Sequence, residues 1–321
     1  MSNIKKVFIK TYGCLMNEYD SEKLLLDLEK NHYQQTGDIQ EADMVLLNTC
    51  NIREKAAEKV YSELGRVKKI KDHKTDLKIG VTGCVAQAES LEIFDRQPAV
   101  DFIVGPQSYH KFPEIISKID DGERNIIATN FEALDKFQSI ASLAAKPKPS
   151  AFITIQEGCD KFCTFCIVPF TRGRERSRSV DGIVREVKKA INNGFSEITL
   201  LGQNVNSYNY SDKKFPELLD AVARVDGVKR IRYTSPHPQD VNEELLEIMA
   251  KHDNICNYIH LPLQAGSNRI LKRMNRTYTK EHFVELALKI RDYLPGAGIS
   301  TDIIVGFPGE TDDDEDEDEY A

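Results

Sequence analysis

The chain of 321 residues contains no tryptophan and no apolar run approaching the roughly 20 residues that a membrane-spanning helix needs. Its first residues, MSNIKKVFIKTYGC, also lack the apolar segment and small-residue cleavage site of a secretory signal peptide. These absences argue against an integral membrane protein and against a secreted one. We therefore expect a cytoplasmic protein.

The chain also has no excess of basic residues, because its formal net charge is −8. However, residues 312–319 read DDDEDEDE, and without these eight acids 43 of the 51 acidic residues remain, against 43 basic ones. The rest of the chain is therefore balanced in charge. A low isoelectric point does not argue against a nucleic-acid partner here.

Short apolar runs alternate with helical patterns along most of the chain, as in parallel α/β folds. In the N-terminal part we predict strands at Val7–Thr11, Met44–Asn48, Lys78–Thr82 and Asp101–Val104. From about residue 120 the pattern loosens and ends in KPKPS, which indicates a linker. A second series then predicts five strands, at Phe152–Gln156, Glu197–Leu201, Lys229–Tyr233, Asn257–Leu261 and Gly298–Val305. Five strands in one βα series suggest a partial TIM-like barrel.

Three of the seven cysteines each follow a predicted strand of the N-terminal part: Cys14 ends VFIKTYGC, Cys50 ends VLLNTC and Cys84 ends KIGVTGC. Open α/β sheets bind ligands at the carboxyl ends of their strands, so the three thiols can converge on one edge. The alternative is three small buried apolar residues. The repeated context favours metal or iron–sulfur ligation.

A second trio, Cys159, Cys163 and Cys166, lies in QEGCDKFCTFC after the first strand of the barrel-like series. Iron–sulfur clusters normally take four thiolates, so three in one loop leave one iron open for a substrate. The alternative is a zinc knuckle with Cys256 as its fourth ligand, although structural zinc sites usually use paired ligands. We expect Cys256 to be an ordinary thiol.

The C-x3-C-x2-C loop after the first barrel strand resembles the radical-SAM superfamily. A set of motifs from Thr11 to Thr311 resembles the methylthiotransferases of that superfamily, and within them the synthases that methylthiolate N6-dimethylallyladenosine (N6-isopentenyladenosine) in tRNA. The motifs are TYGCLMNEYDS, NTCNIREKAAEKVYSELG, TGCVAQ, QEGCDKFCTFCIVPFTRGRERSR, LGQNVNSY, HLPLQAGSN and GISTDIIVGFPGET. Leu15 and Phe170 stand where the family has glutamine and tyrosine.

The resemblance implies two 4Fe–4S clusters and S-adenosylmethionine (SAM). It assigns Cys159, Cys163 and Cys166 to the cluster that cleaves SAM into a deoxyadenosyl radical. It assigns Cys14, Cys50 and Cys84 to an auxiliary cluster at which sulfur is delivered. One SAM methylates that sulfur, while another yields the radical that takes hydrogen from C2 of the adenine. A flavodoxin or ferredoxin is implied as electron donor.

Weaker signals concern SAM and RNA. Gly202, Gln203 and Asn204 follow the second barrel strand, where related enzymes touch SAM, although an ordinary turn is the alternative. His237 and His260 lie near strand ends, and His260 is a candidate SAM contact, although a lone histidine is more often a structural residue. The alternating Arg172, Arg174, Arg176 and Arg178 of TRGRERSR are candidate phosphate contacts, against a solvated basic face.

We therefore expect an α/β enzyme with a doubly wound N-terminal domain (residues 1–119), a linker (120–150), an incomplete radical-SAM barrel (151–311) and a disordered acidic tail (312–321). It is expected to be a monomer that methylthiolates N6-isopentenyladenosine next to the anticodon. Because DDDEDEDEYA resembles no part of the family, we expect the family's C-terminal elements to be missing and tRNA binding and turnover to be weakened. The rival functions are methylthiolation of threonylcarbamoyladenosine or of a ribosomal-protein aspartate, and a non-catalytic iron–sulfur RNA-binding protein.

Overall fold

The computed structural model describes residues 4–51, 54–131 and 149–314. These residues form two compact units. The first consists of residues 4–131 together with the short segment Phe170–Gly173, and the second of residues 149–169 and 174–314. Within the described residues, no helix combines the length and the apolarity needed to cross a membrane.

The first unit is built on a six-stranded sheet in which all neighbouring strands are parallel. The strands are β1 (Lys5–Thr11), β2 (Tyr33–Gln35), β3 (Met44–Thr49), β4 (Lys78–Gly83), β5 (Phe102–Val104) and β6 (Ile126–Ala128). Their order is β2-β1-β3-β4-β5-β6, so the chain changes direction across the sheet between β1 and β3. The helices are α1 (Leu15–Lys30), α2 (Glu54–Lys71), α3 (Cys84–Glu89), α4 (Glu92–Arg96) and α5 (Phe112–Asp120), with a 3-10 helix at Pro106–Lys111.

Helices cover both faces of this sheet. Val45 and Leu47 of β3 belong to one apolar cluster with α2, whereas Met44 and Leu46 belong to another with α1 and α5. Successive strand residues point to opposite faces, so one strand serves both clusters. The predicted doubly wound sheet is confirmed.

The predicted linker at 120–150 is wrong for its first part. Ile126–Ala128 forms β6, which pairs with β5 in parallel and extends the sheet. Three apolar residues are too short for a periodic signal, and only the pairing with β5 identifies them as a strand. Residues 132–148 of the predicted linker lie outside the described part of the chain.

The second unit contains the five predicted parallel strands in chain order. Its strands are β7 (Ser150–Thr154), β8 (Gln156–Glu157), β9 (Arg176–Ser177), β10 (Glu197–Leu201), β11 (Asn209–Tyr210), β12 (Lys213–Lys214), β13 (Arg230–Tyr233), β14 (Tyr258–His260) and β15 (Gly298–Ser300). Strand β10 lies between β7 and β13, and β14 pairs with β15. A parallel bridge between Ile231 and Ile255 joins β13 to the segment before β14. The two short antiparallel pairs are β8 with β9 and β11 with β12.

Helices alternate with these strands as the βα pattern requires. They are α6 (Val168–Thr171), α7 (Val180–Asn192), α8 (Phe215–Ala223), α9 (Glu243–Lys251), α10 (Asn268–Arg273) and α11 (Lys280–Tyr293), with 3-10 helices at Val205–Ser207 and Pro238–Asp240. Side-chain oxygens of Ser179, Asn242 and Thr279 cap α7, α9 and α11 by accepting a hydrogen bond from a backbone N–H of the first turn. The chain therefore carries local signals for where these helices begin.

The predicted disordered tail begins too early. Asp314 is buried, and its carboxylate accepts hydrogen bonds from Ser267 Oγ at 2.7 Å and Thr311 Oγ1 at 2.6 Å while pairing with Arg269. These donors, Arg269 foremost, hold the pKa of Asp314 well below its usual range. Asp314 therefore belongs to the fold, with the exposed Asp312 and Asp313 in the same helical turn, and residues 315–321 lie outside the described part.

Candidate active site

The first cysteine trio lies at one edge of the six-stranded sheet. Cys14 precedes α1 and follows β1, Cys50 follows β3 directly, and Cys84 begins α3 after β4. Strands β1, β3 and β4 are neighbours, and the crevice between β1 and β3 is the point at which the strand order reverses. Ligands of open α/β sheets bind outside the carboxyl ends of the strands at such a point.

Two glycines let the cysteine-bearing turns approach one another. A Cβ on Gly13 would lie 2.1 Å from Cys50 Cβ, and one on Gly83 would lie 2.2 Å from the carbonyl oxygen of Thr49. Both glycines have positive φ, +107° and +91° respectively, a conformation that other residues rarely adopt. The Gly-Cys pairs in YGC and TGC are therefore the sequence signal for this approach.

Buried polar side chains tie the same three turns together. Asn17 Nδ2 donates to the carbonyl oxygens of Tyr12 and Thr49, at 2.9 and 2.8 Å. Asn48 Nδ2 donates to the Asn17 carbonyl oxygen at 2.7 Å, and Thr49 Oγ1 donates to that of Thr82 at 2.5 Å. Two of these bonds join the Cys14 turn to the Cys50 turn, and the bond from Thr49 joins the Cys50 turn to the strand that leads to Cys84, so the fold holds the three turns together.

Arg172 supplies positive charge beside this trio. It is 3% exposed, and its guanidinium pairs with Asp20 at 2.7 Å and donates to Asn17 Oδ1 at 2.7 Å. A hydrogen bond with Cys50 and the charge of Arg172 hold the pKa of Cys14 below its usual range. The prediction that Arg172 contacts RNA is wrong, because its guanidinium is buried against partners that lie far away in the sequence.

We expect Arg172→Ala to lower the free energy of unfolding of the first unit by about 3 kcal/mol or more, because removing one partner of a buried ion pair leaves the other charge uncompensated. The exposed Arg174, paired with Asp160 at 2.9 Å, is the matched control. Its replacement by alanine should cost about 1 kcal/mol or less. Urea unfolding of the metal-free chains, followed by circular dichroism, measures both, and equal midpoints for the two variants would contradict the assignment.

The second trio lies in the loop after β8. Burial raises the pKa of Cys159 to about 12, and the negative charges of Glu175, Cys166 and Cys163 act in the same direction. The loop therefore brings the three thiols within electrostatic reach of one another. Cysteine sulfurs are the usual ligands of iron–sulfur clusters, so this loop is a candidate donor set for one.

The position of Cys256 argues against a zinc site. All four ligands of a structural zinc site bind one ion at about 2.3 Å, whereas a four-iron cluster binds its cysteines through different irons. Cys256 precedes β14, and its thiol lies near Arg232, Arg230 and Glu197. It is thus at the opposite ends of the strands from the trio and is no fourth ligand.

The turn Gly202–Asn204 lies beside the loop of the second trio. Gln203 Oε1 accepts a hydrogen bond from Gly158 N at 2.6 Å, directly before Cys159. Gln156 Oε1 accepts from the backbone N–H groups of Gln203 at 3.0 Å and Asn204 at 3.3 Å. A Cβ on Gly202 would lie 2.8 Å from Gln156 Oε1. Gln156 was not among the predicted site residues, because its only signal is its position at the end of the first barrel strand.

Asn204 is the buried member of this turn. Its Nδ2 donates to Asp240 at 2.8 Å and to Glu175 at 3.4 Å. Its Oδ1 is buried and accepts no hydrogen bond from the described residues. Burial raises the pKa of Glu175. Glu175 and Asp240 were not predicted from the sequence either, because nothing local distinguishes them from other acidic residues.

Within the described residues, no hydrogen bond or ion pair joins His237 or His260 to the cysteine loop. His260 Nδ1 lies 2.8 Å from Ser300 Oγ, and its Nε2 lies 3.4 Å from Asp302. His237 is buried, and burial, with the charges of Arg276 and Lys161, lowers its pKa to about 2. His237 is therefore neutral, and its Nδ1 accepts from the Gln239 backbone N–H at 3.3 Å.

The other arginines of TRGRERSR differ in exposure. Arg178 is buried, pairs with Glu186 at 2.7 Å and donates to the Thr154 carbonyl oxygen at 2.5 Å. It is therefore a structural residue, and the prediction that it contacts RNA is wrong. Arg176 is half-buried in β9, whereas the side chain of Arg174 is 71% exposed.

Comparison with known proteins shows which family combines these features. Residues 6–105 match the model of "Uncharacterized protein family UPF0004", and residues 153–321 match that of the radical SAM superfamily. A tRNA-2-methylthio-N(6)-dimethylallyladenosine synthase of Ruegeria sp. (strain TM1040) is 52% identical over 319 residues, which cover 98% of this chain and 72% of that protein. The synthase of the same name from Rickettsia conorii is 48% identical over 320 residues, with 97% and 72% covered. The chain belongs to this synthase family.

Solved radical SAM enzymes share the fold of this synthase-family chain. The methyltransferase TsrM from Kitasatospora setae matches with a TM-score of 0.69 at 14% identity, over 97% of this chain and 69% of TsrM. The cobalamin-dependent enzyme OxsB matches with a TM-score of 0.67 at 14% identity, over 98% of this chain and 51% of OxsB. At this identity the likeness shows the fold alone.

Membership of the synthase family and of the radical SAM superfamily implies a 4Fe–4S cluster and SAM. The residues present fit both groups. Three thiols in one loop supply three soft ligands and leave one iron open. The buried Asn204 Oδ1, which lacks a donor among the described residues, suits an ammonium or hydroxyl group of SAM.

Proposed function

We propose that the chain attaches a methylthio group to C2 of N6-isopentenyladenosine next to the anticodon of tRNA. The observation that carries this conclusion is the match at about half identity, over nearly the whole chain, to synthases named for that product. The chain is therefore a transferase that modifies tRNA. The rival substrates of the sister methylthiotransferases have no observation in their favour.

Two cysteine trios support two metal centres in this function. Cys159, Cys163 and Cys166 hold the 4Fe–4S cluster that the superfamily implies, and Cys14, Cys50 and Cys84 hold a second one. When it is bound and reduced, the cluster of the second trio supplies the electron that cleaves SAM. The first trio is supported by its placement at the strand-order reversal between β1 and β3 and by the bonds that join its turns.

The chain's own residues bind and orient SAM beside the second trio. Gly202 leaves room at the turn, Gln203 fixes that turn to Gly158, and Asn204 Oδ1 accepts a hydrogen bond from SAM. His260, held by Ser300, is the remaining candidate at a strand end. A flavodoxin or ferredoxin serves as electron donor, and the chain acts as a monomer.

Arg174 is the best-supported RNA contact of TRGRERSR because its side chain is the exposed one. We expect Arg174→Gln to weaken tRNA binding equally for isopentenylated and unmodified tRNA, and to reduce the slope of log K against log salt by about one unit or less. Arg224→Gln is the control, since Arg224 is also exposed and paired with an aspartate, Asp220. A salt slope that stays at the wild-type value would remove Arg174 from the interface.

Mass spectrometry of tRNA tests the proposed function in cells. A strain that lacks its own methylthiolating enzyme but still isopentenylates tRNA would express the chain. We expect 2-methylthio-N6-isopentenyladenosine to appear and N6-isopentenyladenosine to fall. Appearance of methylthiolated threonylcarbamoyladenosine instead would assign the chain to a sister activity.

A further inference from the structure

The segment Arg273–Arg276, which begins at the last residue of α10, is hydrogen-bonded to the loop of the second cysteine trio. Asn275 Nδ2 donates to the carbonyl oxygens of Lys161 and Phe162, both at 3.1 Å. Thr164 donates twice in return, from its backbone N–H to the Met274 carbonyl oxygen and from Oγ1 to that of Arg273, both at 3.0 Å. The bonds fall on both sides of Cys163, so this segment fixes the position of that thiol.

Arg276 reaches the thiol itself. Its Nη1 lies 3.5 Å from Cys163 Sγ, within hydrogen-bond reach of a sulfur acceptor. The rest of the guanidinium is fixed, because Nε donates to Tyr278 Oη at 2.8 Å and Nη2 donates to the Pro262 carbonyl oxygen at 2.8 Å. Tyr278 Oη in turn donates to the carbonyl oxygens of Pro262 and Leu263 at 2.9 and 2.8 Å.

The charge of Arg276 has no carboxylate partner among the described residues. The side chain is 8% exposed, and its neighbours Tyr278 and His237 are neutral. Buried charges in proteins are paired, because taking an ion out of water is costly. The Cys163 sulfur, 3.5 Å from Nη1, can carry the opposing negative charge once it is a thiolate bound to iron.

We propose that Arg276 is a positioning residue that donates an N–H···S hydrogen bond to the cluster ligand Cys163 and thereby raises the reduction potential of the radical-generating cluster. The reduced cluster carries one more negative charge than the oxidised one. A cation and a hydrogen bond at a ligand sulfur stabilise the reduced form more, and hydrogen bonds to sulfur are among the factors that set such potentials. Arg276 thus makes the cluster easier to reduce. The inference rests on the proposed role of Cys163 as a ligand.

The test is a redox titration of the reconstituted chain, followed by electron paramagnetic resonance of the reduced cluster. We expect Arg276→Gln to shift the reduction equilibrium about tenfold towards the oxidised form, which is about 59 mV to lower potential for a one-electron couple. Arg276→Lys, which keeps the charge, should recover part of this shift. Lys272→Gln is the control, because it removes an exposed cation of α10 and should leave the potential unchanged. A wild-type potential in Arg276→Gln overturns the proposal.

A second measurement decides the matter if Arg276→Gln does not assemble a cluster. Wild-type chain carrying arginine labelled with ¹⁵N in the guanidinium should show a weak ¹⁵N coupling to the reduced cluster, and Arg276→Lys should lose it. Absence of that coupling in the wild-type chain overturns the proposal. The variant Cys163→Ala distinguishes a failure of the ligand assignment from a failure of the role of Arg276. If Cys163→Ala keeps its cluster, Cys163 is not a ligand. If it loses the cluster and Arg276→Gln has the wild-type potential, only the role of Arg276 is rejected.

Discussion

Replacing Cys163 by alanine is expected to abolish cleavage of SAM to 5′-deoxyadenosine, and the same holds for Cys159 and Cys166. Three ligands already leave one iron without a protein thiolate, so the loss of another removes the anchoring of the cluster. No neighbouring cysteine can substitute, because Cys256 lies beside Arg230 and Arg232 at the other ends of the strands. The measurement is 5′-deoxyadenosine formation by the anaerobically reconstituted chain with a strong reductant.

Cys256→Ala is the matched control for this prediction. It removes a half-buried cysteine of the same unit and should leave both iron content and SAM cleavage at the wild-type level. Undiminished 5′-deoxyadenosine formation in any variant of the second trio would refute its assignment as the radical-generating site.

Replacing Cys14, Cys50 or Cys84 by alanine should separate the two centres. We expect roughly half of the bound iron to be lost, since two clusters of equal size are proposed, while SAM cleavage continues and the methylthio product disappears. Cleavage continues because the first trio belongs to a different unit from the loop of Cys159. Iron analysis, 5′-deoxyadenosine assay and nucleoside mass spectrometry on one preparation give all three values.

Stability must be checked in the same variants, because Cys50 is buried next to Gly13. Cys14→Ala is the most informative of the three, since Cys14 is the exposed member and its removal disturbs packing least. If these variants keep full iron content and full methylthio product, the first trio consists of ordinary thiols rather than ligands.

The sequence predicted the long regular elements well and the short ones poorly. Strands β1, β3, β4 and β10 were found close to their bounds because each carries five to seven residues of strand pattern. Strands β2 and β6 have three residues each, too few for a periodic signal, and they become strands only by pairing at the edges of the sheet. The last barrel strand was predicted to reach Val305 but ends at Ser300.

Some residues of the candidate site could be predicted from local sequence features, whereas others could not. The cysteines could be found because their spacing and their position after strands are local features. The alternating arginines suggested RNA contacts, but Arg172 and Arg178 are buried and paired with Asp20 and Glu186. The sequence alone does not show which charged side chains will be paired. The contact of Arg276 with Cys163 joins residues more than a hundred positions apart, so only the fold reveals it.

The most direct test of the central claim is an anaerobic reaction of the reconstituted chain with SAM, a reductant and two matched tRNAs, one isopentenylated and one unmodified. Nucleosides from each tRNA would be separated and identified by mass spectrometry, with 5′-deoxyadenosine measured in parallel. We expect 2-methylthio-N6-isopentenyladenosine from the isopentenylated tRNA and no methylthio product from the other. Formation of 5′-deoxyadenosine without any methylthiolated nucleoside from the isopentenylated tRNA would contradict the claim.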